Sequence, residues 1–161
     1  MGLDIYLSKK TYVQRWDHHS PEETYNVEVT RGGELVDHIQ PNRVTYIEEQ
    51  VGYWRKANQI HKWFVDNVQD GNDNCGTYSV EIDDLMNLLN VCKEVKGNPS
   101  KSEELLPTTN GFFFGDIGYG EHYMNDIDHT IELLEGILSE QVIDKKGRAF
   151  YPGEFYYRAS W

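Results

Sequence analysis

The spacing of apolar residues changes repeatedly along this chain, and that alternation limits its fold more than any other feature of the sequence. Leu3, Ile5 and Leu7 recur at every second position, as on a strand whose side chains point to opposite faces in turn. Tyr25-Asn26-Val27-Glu28-Val29 alternates in the same way, and Leu35-Val36-Asp37-His38-Ile39 follows Arg31-Gly32-Gly33. Gly-Gly between two such runs predicts a hairpin, because both residues accept positive φ at no steric cost. From about Trp54 to Val68 the period becomes helical, with Ala57, Ile60, Phe64 and Val68 on one stripe and Gly71 as terminator. A second helix is expected from about Ile82 to Val95. It carries Ile82, Leu85, Leu89 and Cys92 on one face, and its terminal charges suit the helix dipole. A third follows a candidate N-cap at Asn125 and carries Ile127, Ile131, Leu134 and Leu138. Tyr78–Val80, Gly111–Gly115 and Glu154–Trp161 read as strands, while Asn42–Val51 fits a strand or a short helix equally. The expectation is a single α+β domain over residues 1–161: a mixed or antiparallel sheet with about three packed helices.

Charge narrows the function. The chain has 161 residues with 15 Lys+Arg against 27 Asp+Glu, a net charge of −12. A field of that sign disfavours general nucleic-acid binding and docking on an anionic membrane. No apolar run reaches the roughly 18 residues a membrane helix needs, and the start shows no secretory pattern, so a cytoplasmic location is expected. Cys75 and Cys92 match no metal or redox spacing.

Chemistry concentrates in Gly52-Tyr53-Trp54-Arg55-Lys56-Ala57-Asn58-Gln59-Ile60-His61-Lys62-Trp63. On a continuous helix Trp54, Asn58, His61 and Val65 share one line beside the core stripe. Buried amides and imidazoles are costly unless hydrogen-bonded. Asn58 and His61 therefore either bond to neighbouring backbone and orient the helix, or line a pocket with Trp54 as wall and Arg55 or Lys56 at its mouth. In the second case a stacking ring, an amide and cations supply the groups that hold a nucleotide. Phe113 and Tyr119, in the aromatic and glycine-rich segment 111–120, are further stacking candidates. That segment matches neither a Walker A loop nor a dinucleotide fingerprint. Asp17-His18-His19 lacks a convincing metal spacing, and no paired carboxylates or nucleophile elbow stand out. No catalytic residue, metal or cofactor is assigned.

The start Gly2-Leu3-Asp4-Ile5-Tyr6-Leu7, the block Val51 to Val65 and the segment Leu106-Pro107 through Gly115 resemble a family of small uncharacterised bacteriophage and prophage proteins. The resemblance implies a viral accessory protein acting in the host cytoplasm and carries no activity with it. In that setting the residues favour a binding protein that captures a small nucleotide-derived ligand, a candidate immune signal, and withholds it from a host effector. Its site would use Trp54, Arg55, Lys56, Asn58, His61, Phe113 and Tyr119. A homo-oligomer is one way to close such a pocket. The alternatives are an acidic interaction protein that inhibits a host enzyme or mimics DNA, and a nucleotide-signal hydrolase with His61 as base.

Overall fold

The computed structural model describes residues 2–161, and within them the two periodicities sort into two layers. Four strands form one antiparallel sheet: β1 (Asp4–Tyr12), β4 (Tyr46–Arg55), β5 (Thr77–Val80) and β8 (Glu154–Ser160), in the order β4-β1-β8-β5. Three helices of ten or more residues, α1 (Asn58–Asn67), α2 (Ile82–Gly97) and α4 (Glu121–Leu138), cover one face. A single turn, α3 (Ser102–Leu105), precedes Pro107. Two ribbons of two-residue strands, β2 (Thr30–Arg31) with β3 (Glu34–Leu35) and β6 (Val142–Ile143) with β7 (Ala149–Phe150), lie outside the sheet. The α+β expectation of one antiparallel sheet with about three main helices is met.

Alternation decides which face is covered. Ile5 and Leu7 of β1, Trp54 of β4 and Phe155, Tyr157 and Ala159 of β8 point into the core against Ile60 and Phe64 of α1, Leu85 and Leu88 of α2, and Ile127 and Leu134 of α4. The opposite face carries Tyr6, Ser8, Gln50, Tyr156 and Arg158 and has no helix over it. Lys9 occupies an inward position at the edge of the core and is 9% exposed. It bonds Glu140 at 2.9 Å and Glu49 at 3.2 Å, and the Glu140 contact leads in holding its pKa above the usual lysine value. Among the described residues no helix is long and apolar enough to cross a membrane.

Four local expectations need correction. The helix does not begin near Trp54. Trp54 and Arg55 end β4, paired with Ile5 and Asp4 of β1, and the helix starts at Asn58. Tyr53 and Trp54 favour strands, and pairing with β1 overrides the helical spacing downstream. Gly111–Gly115 is a loop rather than a buried strand: Phe112 is 82% exposed, Phe113 has φ 71°, and only Phe114 reaches the core. The hairpin turn at Gly32 and Gly33 forms with both residues at positive φ, but its strands are two residues each and exposed. The third long helix begins at Glu121 after Gly120, one turn before Asn125.

Candidate functional site

The corner between β4 and α1 creates the site. Lys56 adopts φ 61°, a left-handed conformation uncommon outside glycine, and turns the chain from strand to helix. Across from it lies Gly115 at φ 94°, where an added Cβ would stand 2.9 Å from Lys56 Cβ and 3.1 Å from the Lys56 carbonyl oxygen. Phe113 is left-handed as well. Two non-glycine residues at positive φ, Lys56 and Phe113, thus flank one crossing where the fold holds an unusual backbone.

Asn58 anchors that crossing. It is fully buried; its Nδ2 donates to the carbonyls of Phe114 (3.2 Å) and Asp116 (2.8 Å), and its Oδ1 accepts from the Thr109 amide (3.0 Å). One side chain thus satisfies three backbone groups of the 108–118 loop. His61 is 1% exposed, with Nδ1 2.5 Å from the Tyr157 hydroxyl and Nε2 3.0 Å from Asp73 Oδ2. Burial pushes the Tyr157 pKa far up, so its O–H keeps the proton and donates to Nδ1. Nε2–H then donates to Asp73, which also accepts from Trp161 Nε1 at 3.0 Å. Both imidazole nitrogens are engaged, so His61 has none free to act as a base. Trp54 is 2% exposed, and its Nε1 donates to Thr130 Oγ1 at 2.9 Å. Indole, amide and imidazole are therefore scaffold: none lines a pocket, in contrast to the arrangement expected from a continuous helix.

Arg55 and Lys56 are placed differently. With Gln59, Gly115, Asp116, His122, Tyr123, Asn125 and Asp126 they line a cleft of about 430 Å³ between the corner, the loop and the start of α4. Neither Arg55 nor Lys56 forms an ion pair among the described residues. Tyr119 is one ring away from the cleft: it packs edge-on against Tyr123 at 5.1 Å and its hydroxyl accepts from the Thr108 amide. Phe113 is 44% exposed and meets Phe112 edge-on at 4.3 Å rather than lining the cleft. Of the seven residues expected at a site, the structure brings Arg55 and Lys56 into one cleft, leaves Phe113 and Tyr119 near its rim, and buries Trp54, Asn58 and His61 behind it.

Sequence reasoning missed Gln59, His122, Asn125 and Asp126. The last three follow at i, i+3 and i+4, a polar stripe on the first turns of α4 that helical spacing alone reveals. Gln59 is 2% exposed and donates to Asp126 Oδ2 at 3.0 Å. Burial raises the Asp126 pKa from its ordinary 3.8, against the lowering effect of Gln59. The folded chain thus holds this proton to higher pH than the unfolded one. Stability falls as pH rises from the ordinary carboxyl range through the raised value, and above that window the desolvation cost is fully present. Asp126→Asn should therefore raise the melting temperature at pH 7. The gain should shrink as the pH is lowered towards 4, which melting curves across that range will check.

Chemically the cleft offers two lasting cations and an imidazole against two carboxylates, with amides between. Among the described residues no three His, Cys, Asp or Glu side chains gather as a metal site. Comparison with protein-family models, with curated proteins and with solved structures finds no match to this chain.

Proposed function

We propose that this chain is a non-catalytic binding protein that captures a small nucleotide-type ligand in the Arg55–Lys56 cleft and withholds it from other proteins. The observation that carries the reading is the convergence of Arg55, Lys56 and His122 on one hollow of about 430 Å³ in a chain of net charge −12. Unpaired cations in so acidic a protein are attractive to phosphate, and an Arg beside a Lys offers both a fork and a point charge. Asn125 supplies an amide for a base edge. Tyr119 and Phe113 carry exposed ring surface outside the hollow, within the reach of a ligand that extends beyond it. The setting of a phage accessory protein that removes a host immune signal in the bacterial cytoplasm rests on the sequence resemblance alone.

A thermal-shift screen against mononucleotides, cyclic dinucleotides and ADP-ribose derivatives tests capture directly. A ligand at 100 times its Kd raises stability by about 2.7 kcal/mol. Heating the complex and assaying the released ligand separates capture, which returns it intact, from turnover. Arg55→Gln with Lys56→Gln should weaken binding by about 100-fold, since each charge-assisted contact contributes at least about 1.5 kcal/mol. Both side chains are exposed, so the melting temperature of the free protein should stay unchanged. Unaltered affinity in that double variant would rule out this cleft as the site.

A further inference from the structure

The far end of the β1–β4 ladder carries a second hollow, built from rings. Asp4 pairs with Arg55 at the cleft end, and Tyr12 pairs with Tyr46 at the other. There Tyr12, Tyr25, Tyr46, Phe150, Pro152 and Glu154 line a hollow of about 550 Å³. The four rings are 42%, 49%, 53% and 46% exposed, and no element packs over them. Tyr12 and Tyr46 meet edge-on at 5.2 Å. The Tyr12 hydroxyl accepts from Trp16 Nε1 at 2.8 Å and donates to Gln14 Oε1 at 3.0 Å, which holds the ring in place. So many rings left in water mark an interaction surface rather than residual core.

Charge decides what fits it. Aromatic faces attract cations, arginine above all because its planar guanidinium also stacks. Glu154 lines the hollow, and Tyr25 is shared with an adjoining depression that carries Glu23 and Glu22, the latter paired with Lys145. Lys10, the cation of the lining, is turned onto the Tyr156 ring (5.1 Å) and towards Glu48 (3.9 Å). The net charge of −12 draws basic partners from a distance. We propose that this ring-lined, acid-flanked hollow docks an arginine-bearing basic segment of a partner protein, at a site separate from the Arg55–Lys56 cleft.

The test is fluorescence anisotropy with a fluorescein-labelled peptide of alternating arginine and glycine, beside a matched peptide in which citrulline replaces each arginine. The arginine peptide should bind, and the citrulline peptide, equal in shape but uncharged, should bind at least about tenfold more weakly. Tyr25→Ser with Tyr46→Ser keeps the net charge and should weaken the arginine peptide about fivefold or more. Phe150→Ser, on a separate two-residue strand, should weaken it too and guards against a folding defect in the double variant. Equal binding of both peptides, ring variants that bind like the parent (adsorption to net charge alone), or no binding at all would each overturn the proposal.

Discussion

Trp54→Ala should cost about 3–5 kcal/mol of stability, the range for truncating a buried aromatic ring. Set against the 5–15 kcal/mol that holds a typical domain together, that is a loss near the limit of folding. The indole is 2% exposed, tilts against Phe64 at 6.3 Å, meets His129 edge-on at 6.2 Å, and donates to Thr130. It joins β4 to α1 and α4 at once, so its removal opens a cavity that three elements border. Urea titration should show a markedly lower midpoint. Trp54→Phe, which keeps most of the volume, should fall between the two. A stacking residue in an open pocket would behave in the opposite way, losing ligand and keeping stability. Melting of Trp54→Ala at the parental midpoint would contradict the packing described for this corner.

The second large effect belongs to Asn58→Leu. Leucine fills similar space but leaves the Thr109 amide and the Phe114 and Asp116 carbonyls without their shared partner. An orphaned buried group costs about 1–3 kcal/mol; with Asp116 near solvent, where water substitutes, a total of about 2–4 kcal/mol is expected. The loss should be local. Hydrogen exchange should quicken over residues 108–118 while α2 and α4 keep their protection. Because Gly115 and Asp116 form one wall of the cleft, ligand capture should weaken in the same variant even where it remains folded. Uniform loss of protection across all helices would mean that Asn58 serves the core in general and not this loop.

These two residues also show what could be read in the sequence and what could not. The layering was legible, because period-2 and period-3.6 stretches alternate and α2 matched its expected span to within two residues at its C-terminal end. The strand Glu154–Ser160 was legible from its aromatic alternation. The start of α1 was not. A strand followed by a turn and a helix can satisfy the same i, i+3, i+4 arithmetic through Trp54, and only the partner Ile5, far away in the chain, decides between them. For Asn58 and His61 the choice between orienting the fold and lining a pocket was visible from residue type. It was settled by groups such as Phe114 and Tyr157, 56 and 96 positions further on. Arg55 and Lys56 were singled out because cations stand out in an acidic chain. Their companions on α4 were not, since a cleft assembled from two distant segments leaves no continuous motif.

The place of β8 has a consequence for how the molecule reaches its structure. This strand lies between β1 and β5, so the first and last strands of the described residues are direct neighbours. Without residues 154–160, β5 has nothing to pair with and Phe64 of α1 lacks the Tyr157 ring that stacks on it. Closing the long loop from β1 to β8 must precede both of the pairings that β8 makes, which slows acquisition of the native state relative to locally connected bundles.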